Sequence, residues 1–433
     1  MLKNVLILAP CFPPVNTIGV YRYLSLARYL PQCGWSAIVV TPDWTQEKRA
    51  FLEERLRFGA GTKTTLAGWD SSFHAGEHLR VERAPFKSRQ ELGELPWKKL
   101  WAGIRGCYVD YLMGDLPQAV LQKGREVCQR EKIGAILSGG DPEYLFRVAN
   151  QLCRECKIPW VADYRDVVGQ FRLTARNPVA WLRKHFARRI LIARNNRHVR
   201  AASARVTVSD GLAEILRARN RKPVHVIMNG FDPNDFRPYL GRLRKGNPCF
   251  TVTYGGTLYG AQDPSVFLDG IDLLLEDAPE AQQRIQVVFF GQSSDAIRGK
   301  LSRMKHREVI VLGDTLTHPV MLERFCTSDM LLFFSVQAKG IATGKLFEYL
   351  GSERPILSVP GDGDITDRIL AETGAGVVAR TPDAVARQLR LWYLEWRETG
   401  TVASRCLKEE VYKHTRQSQA KQMARVLDEV SSG

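Results

Sequence analysis

The sequence predicts an α/β protein of two doubly wound domains, each with a parallel sheet covered by helices on both faces. Short apolar runs such as residues 5–9 and 330–334 alternate with segments of helical spacing. The runs lack polar alternation, which is typical of strands buried on both faces. A polar, basic stretch at residues 237–248 separates two such series, and 433 residues suffice for two domains with separate cores.

The first series begins with a strand at residues 5–9. Apolar side chains then recur at spacings of three and four between Val20 and Leu30, which predicts a helix that ends at Gly34. Residues 43–130 give no readable pattern. Further predicted strands are 37–40, 135–137, 160–162, 206–208 and 224–228, and further helices are 143–156, 178–201 and 211–217.

The second series predicts strands at 250–254, 286–290, 309–312, 330–334, 356–359 and 376–379. We therefore predict domains at residues 1–236 and 249–405, a linker at 237–248, and a C-terminal helix within 406–433. Doubly wound sheets bind ligands at the carboxyl ends of their strands, so the cleft between the domains is the expected site.

Charge is distributed unevenly along the chain. Lys and Arg number 62 against 46 Asp and Glu, giving a net charge of +16, and the whole excess lies within residues 1–250. Such asymmetry indicates that one domain meets a polyanion.

No apolar run approaches the ~20 residues of a membrane span. Nine cysteines, an odd number, argue against a disulfide scaffold and favour a reducing compartment.

The predicted helix at 178–201 carries much of the positive charge, and residues 176–205 contain no Asp or Glu. Basic residues interleaved with Trp181 and Phe186 favour an anionic membrane surface, and a solvated basic face is the alternative. A nucleic-acid partner is not expected, because no reading motif is present. The predicted membrane-facing residues are Arg183, Lys184, Arg188, Arg189 and Arg194.

Three turns at predicted strand ends carry candidate site residues. Gly19 opens a helix whose N-terminus would bind anions, with Arg22 adding a charged contact; a tight turn with a surface arginine is the alternative. Asp163 and Asp166 follow a strand, where they form either a site or a structural ion pair. Gly256 follows the first strand of the second domain and allows close backbone approach to a phosphate.

Lys345 and Glu348 are spaced to share one face of a helix near its N-terminus, where a diphosphate would be stabilised. The segment is not a phosphate loop of the nucleotide-hydrolase type. That motif needs glycine where Lys339 stands, and Ser or Thr where Leu346 stands. No metal site is expected, since His74 and His78 are not in zinc-protease order.

Taken together, these motifs resemble family 4 glycosyltransferases, particularly bacterial enzymes of cell-surface polysaccharide assembly. The resemblance covers nearly the whole chain except about 43–130, and its specificity lies in the joint order of the motifs. The matching segments are 12–14 with Gly19 and Arg22, 26–30, 34–42, 163–166, 206–211, 227–232, 254–258 and 345–350.

The resemblance implies a GT-B fold: two facing Rossmann-like domains, with a C-terminal helix crossing back to the first. It also implies retaining, metal-independent transfer from a nucleotide sugar, without a further cofactor. Glu348 would bind the donor ribose and Lys345 the diphosphate, while Asp163 and Asp166 would shape the acceptor side. The implied donor-binding set is Gly19, Arg22, Gly256, Thr257, Lys345, Leu346 and Glu348, and the catalytic set is Asp163, Asp166 and Lys345.

The sequence departs from the family at three positions. Gly340 stands where a first glutamate is usual, and Thr257 and Gln262 stand where arginine and lysine are common. We expect a cytoplasmic enzyme on the inner face of the plasma membrane that uses a UDP- or GDP-sugar and a lipid-linked saccharide acceptor. The alternatives are a nucleotide-sugar epimerase, or a non-catalytic binder of sugar nucleotides or membrane surfaces.

Overall fold

A computed structural model gives the fold of the chain. It describes residues 2–13, 15, 18–48, 79–93, 111–140, 144–168, 170, 177–241, 248–256, 258, 262–291, 299–336, 340 and 342–432. Contacts divide the chain into two compact units, residues 1–228 with 419–433, and residues 229–418.

The first unit contains a seven-stranded parallel sheet, ordered β3-β2-β1-β4-β5-β6-β7. Its strands are β1 (Lys3–Leu8), β2 (Trp35–Pro42), β3 (Arg80–Ala84), β4 (Ile133–Gly139), β5 (Trp160–Tyr164), β6 (Ala204–Thr207) and β7 (Val224–Val226). Its helices are α1 (Ile18–Tyr29), α2 (Arg89–Leu92), α3 (Leu116–Arg130), α4 (Tyr144–Cys156), α5 (Pro178–His198) and α6 (Asp210–Arg217).

Alternating side chains of β1 enter two separate hydrophobic cores. Leu6 and Leu8 lie in one core, whereas Val5 and Ile7 lie in the other, and all four are fully buried. A strand buried on both faces explains why an uninterrupted apolar run marks it in the sequence.

The second unit contains a six-stranded parallel sheet, ordered β10-β9-β8-β11-β12-β13. Its strands are β8 (Phe250–Gly255), β9 (Ile285–Phe290), β10 (Ile310–Gly313), β11 (Met330–Phe334), β12 (Ile356–Val359) and β13 (Gly376–Val378). Its helices are α7 (Pro233–Phe236), α8 (Ser265–Asp277), α9 (His318–Thr327), α10 (Gly344–Gly351), α11 (Ile365–Thr373), α12 (Pro382–Thr399) and α13 (Lys408–Tyr412).

The last helix, α14 (Arg416–Ser431), belongs mainly to the first unit. Met423 and Leu427 are fully buried in the core that also contains Val5 and Ile7. Asp428 accepts hydrogen bonds from Lys3 (2.9 Å) and from the indole of Trp35 (3.2 Å). The C-terminal segment therefore packs on the first sheet.

The observed division of the chain differs from the predicted domain limits. Residues 229–236 lie in the second unit, although the sequence assigned them to the first domain. The reason is aromatic packing: a Cβ added at Gly351 would lie 2.6 Å from the Phe236 ring and 2.7 Å from the Phe231 ring. Half of the predicted linker 237–248, residues 242–247, lies outside the described residues.

Candidate functional site

The best-defined candidate site lies in the second unit, where β8 ends. Gly256 follows the strand with a φ of +107°, a conformation that glycine adopts without strain, and its N–H donates to the carbonyl of Phe290 (2.8 Å). A Cβ at Gly256 would lie 2.6 Å from Cε of Lys345. Because Gly256 has no side chain, Lys345 can lie directly against the backbone at the strand end.

Lys345 is the second residue of α10, and its amine is held against β8. The Nζ atom donates to the hydroxyl of Tyr254 over 2.6 Å and lies 4.5 Å from the centroid of the same ring. Burial lowers the pKa of Lys345 to about 7, although the Glu348 carboxylate acts in the opposite direction. The free energy spent on burying this amine would be recovered if an anion bound beside it.

The N-terminus of α10 adds further polar groups. Its N-cap, Thr343, has extended backbone angles but makes no side-chain capping bond, and its buried Oγ1 has no hydrogen-bond partner among the residues that the structure describes. Leu346 is fully buried, and its N–H donates to the carbonyl of Thr343 (3.2 Å). A helix N-terminus with an unused hydroxyl and a nearby amine suits an anionic ligand.

Glu348 lies one turn further along α10 and is paired with a histidine. Its Oε1 is 3.0 Å from Nε2 of His318, the first residue of α9, and the two side chains are 26% and 25% exposed. Burial disfavours the imidazolium, but the hydrogen bond and charge of Glu348, helped by Asp235, outweigh burial and raise the pKa of His318. Among the described residues, this pairing with His318 engages only the Oε1 atom of Glu348.

Gly340, where the resembling family has a glutamate, also has a positive φ of +78°. Its N–H donates to Oδ2 of Asp364 over 2.7 Å. Asp364 is the N-cap of α11 yet makes no capping bond, because Asp362 accepts from the N–H of Thr366 instead (3.0 Å). The carboxylate of Asp364 is thereby directed to the segment that precedes α10.

In the first unit, Arg22 and Asp163 form a buried ion pair. The Nε and Nη2 atoms of Arg22 each lie 2.8 Å from a carboxylate oxygen of Asp163, and Nη1 donates to the carbonyl of Ile227 (3.1 Å). The two side chains are 5% and 0% exposed. Burial and the Asp163 charge also raise the pKa of the neighbouring Tyr23 hydroxyl. This pair ties α1 to the end of β5.

The remaining predicted residues are placed differently. Gly19 is the second residue of α1, as the motif predicted. Asp166 is exposed and accepts from Nε2 of Gln170 (2.7 Å), so it does not share the environment of Asp163. Thr257 lies outside the described residues. The structure thus groups Gly256, Lys345 and Glu348 in one unit and Arg22 with Asp163 in the other.

Helix α5 presents an exposed apolar stripe. Val179, Leu182, Phe186 and Ile190 are spaced by three and four residues and are 78%, 50%, 57% and 47% exposed. The basic residues predicted to face a membrane all lie on this helix, and Arg183, Lys184 and Arg189 are exposed, whereas Arg188 and Arg194 are half-buried. Among the described residues, no helix is long and apolar enough to cross a bilayer.

Sequence reasoning missed two residues of the candidate site, Tyr254 and His318. Tyr254 stood inside a motif that was noted only for its glycines, and its position at a strand end was the available signal. His318 lies 30 positions from Glu348, so only the fold brings them together. Within the described parts of the chain, no group of three or more His, Cys, Asp or Glu side chains is arranged to hold a metal ion.

Comparisons with known proteins give a match at the level of structure. No protein-family model and no curated protein matches the sequence. HepE from Anabaena, solved with UDP, superimposes with a TM-score of 0.60 at 13% identity, covering 99% of this chain and 100% of HepE. Sucrose-phosphate synthase from Thermosynechococcus elongatus gives 0.58 at 12%, covering 99% of both chains.

A glycosyltransferase from Rickettsia africae gives a TM-score of 0.58 at 10% identity, covering 99% of this chain and 98% of that chain. At these identities the likeness defines the fold. The chain therefore has the GT-B fold, with two parallel-sheet α/β units and a C-terminal segment returned to the first, as the sequence predicted.

Proposed function

We propose that this protein is a retaining, metal-independent glycosyltransferase of the family 4 type. It would transfer a sugar from a UDP- or GDP-sugar to a lipid-linked saccharide in polysaccharide biosynthesis, at the inner face of the plasma membrane. The observation that carries the proposal is the Lys345 amine held beside Gly256 and the N-terminus of α10. Two HepE structures, containing UDP and UDP-glucose, support a nucleotide-sugar donor on this fold.

Lys345 is suited to the leaving diphosphate. Negative charge develops on a diphosphate oxygen as its bond to the anomeric carbon of the donor sugar breaks. A preorganised cation lowers this barrier most, because it is already in place. A diphosphate beside Lys345 would return its amine to the ammonium form, since an adjacent anion favours the charged state. Thr343 and the first N–H groups of α10 would donate to the same phosphates.

Glu348 is suited to the donor ribose. A carboxylate accepts hydrogen bonds from vicinal hydroxyls, and the oxygen of Glu348 that is not paired with His318 is the proposed acceptor. Glu348 lies one turn from Lys345 on the same helix, so the ribose and the diphosphate of one nucleotide would contact the same face of α10. Gly340 stands where the resembling family has a glutamate, and its N–H donates to Asp364. We therefore propose Asp364 as the carboxylate near the donor sugar.

Two carboxylates are proposed for the acceptor side. Asp166 is exposed and is the one able to accept a hydrogen bond from an acceptor hydroxyl directly. Asp163 is fully buried and paired with Arg22, so its contribution would be to hold the end of β5 and thereby Asp166 in place. Gly19 would allow close approach of the ligand to the start of α1.

Helix α5 supports association with a membrane that carries the acceptor. Four exposed apolar side chains on one face would insert at the headgroup level, while flanking Arg and Lys would pair with anionic lipids. Each basic residue near such a surface contributes about 1 kcal/mol. The complementarity of charge makes an anionic leaflet the partner that fits this face best.

Turnover assays with defined donors test the proposal. We expect release of one nucleoside diphosphate from its sugar nucleotide in the presence of a membrane extract, without added metal, and loss of that release in Glu348→Ala. Interconversion of free sugar nucleotides without diphosphate release would instead identify an epimerase. Tight nucleotide binding with no turnover for any donor would identify a non-catalytic binder.

A further inference from the structure

Tyr254 is a buried phenol placed at the ligand-binding end of the second sheet. It is the penultimate residue of β8 and is 2% exposed. Its ring packs against Phe289 and Phe334, with centroid separations of 5.7 and 5.3 Å. An aromatic ring fixed on two sides in this way holds its hydroxyl in one position.

The hydroxyl of Tyr254 is directed at the amine of Lys345. The two atoms are 2.6 Å apart, and the hydrocarbon stem of Lys345 lies over Gly256. A lysine side chain has four rotatable bonds, and ordering it costs rotamer entropy. The phenol and the glycine therefore both help to set where this amine lies before any ligand arrives.

We propose that Tyr254 is a positioning residue that holds the Lys345 amine ready for the donor diphosphate, an inference that rests on the proposed function. An ammonium carries three N–H donors. One of them can remain with Tyr254 while another binds a phosphate oxygen, so the phenol and the diphosphate do not compete for the same hydrogen.

The charges around Lys345 are consistent with this role. Glu348, on the same helix, is the charged group that acts on Lys345 within the described part of the chain, and it favours the ammonium. Burial opposes it and holds the pKa of Lys345 at about 7. The Tyr254 oxygen accepts from the charged form, so removing it should lower the pKa of Lys345 further.

Ligand binding gives the first test. Tyr254→Phe keeps the ring and removes only the hydroxyl; we expect its dissociation constants for the matching nucleoside diphosphate and for inorganic pyrophosphate to rise about tenfold. Tyr393→Phe is the control, because Tyr393 is equally buried in the same unit and its hydroxyl has no hydrogen-bond partner among the described residues. Unchanged affinity in Tyr254→Phe would overturn the inference.

The titration of Lys345 gives a second test that needs no ligand. Pulse acylation followed by mass spectrometry measures how the reactivity of this one amine varies with pH. We expect a midpoint near 7 in the wild type, a lower midpoint in Tyr254→Phe, and an unmoved midpoint in Tyr393→Phe. A purely structural role for Tyr254 would lower the melting temperature without moving this profile, and that result would overturn the inference.

The two tests separate this inference from the proposed function. If the wild type binds no nucleotide and no pyrophosphate, the proposed function fails and the diphosphate role fails with it, whatever the titration shows. If the wild type binds nucleotide but Tyr254→Phe matches it in either affinity or titration, only the positioning role is overturned.

Discussion

The guanidinium of Arg22 donates two hydrogen bonds of 2.8 Å each to the carboxylate of Asp163, in the interior of the first unit. The residues are 141 positions apart and come from α1 and β5. Removing one partner would leave an uncompensated buried charge, which typically costs about 3–5 kcal/mol.

We therefore predict that Asp163→Ala and Arg22→Ala each lower the free energy of unfolding by about 3–5 kcal/mol in urea denaturation. Asp166→Ala is the control, since Asp166 is exposed and should change stability by less than about 0.5 kcal/mol. An Asp163→Ala protein as stable as the wild type would show that the ion pair does not hold the end of β5.

Lys345 should make the protein less stable than it would be with an apolar residue. Its pKa is lowered to about 7 by burial, so the folded state loses a proton that the unfolded state keeps up to about 10.5. The destabilisation of the folded state by the buried amine is fully present below about pH 7 and decreases as pH rises towards 10.5. Lys345→Met should therefore raise the melting temperature more at about pH 6 than at about pH 9, while losing diphosphate binding. An equal gain at both pH values would contradict burial of the amine.

The His318–Glu348 pair should stabilise the second unit at acidic pH. The pKa of His318 is raised in the folded state, so its contribution is fully present below the ordinary value of 6.5 and is lost as pH rises through the raised value. We predict that His318→Gln lowers the melting temperature at about pH 5.5 and has little effect at about pH 9. His306→Gln is a control, because His306 lies in the same unit and its Nδ1 is 3.6 Å from Oε1 of Glu308, beyond hydrogen-bond distance. A loss that does not depend on pH would mean that the imidazolium is not the stabilising form.

Membrane association should depend on α5. Replacing Arg183, Lys184 and Arg189 by Glu should weaken binding to vesicles that contain anionic lipid by at least a hundredfold in co-sedimentation. The reason is that each basic charge removed from such a surface costs about 1 kcal/mol of binding free energy. Phe186→Asp should weaken it through the apolar stripe. Leu391→Asp is the matched control, because Leu391 is 63% exposed on α12 in the other unit. Undiminished co-sedimentation of the charge-reversed protein would contradict the membrane-facing role.

Much of the fold could be predicted because its strands are buried on both faces. The runs at 330–334 and 356–359 match β11 and β12 residue for residue. The edge strand β3 could not be found, because Arg80–Ala84 is mostly polar and charged and only Ala84 is buried. Patterning therefore fails for this charged, mostly unburied strand, although it finds the other edge strands β7, β10 and β13.

The candidate site was predictable only where its residues are close in sequence. Lys345 and Glu348 lie three positions apart on α10, so helical spacing sufficed. The contacts of Lys345 with Tyr254 and of Arg22 with Asp163 span 91 and 141 positions. Strand order decides such contacts, and nothing in the local sequence specifies which partner a buried charge will find.

The central claim is that the second unit binds the diphosphate of a nucleotide sugar through Lys345. Isothermal titration of the wild type and of Lys345→Ala with UDP, GDP, ADP and CMP, with and without EDTA, tests it most directly. Lys300→Ala is the control, since Lys300 pairs with Asp263 at the protein surface. We predict that one of UDP or GDP binds the wild type independently of EDTA, and that affinity falls at least tenfold in Lys345→Ala alone. Equal affinity in the wild type and Lys345→Ala, or no binding of any nucleotide, would contradict the account.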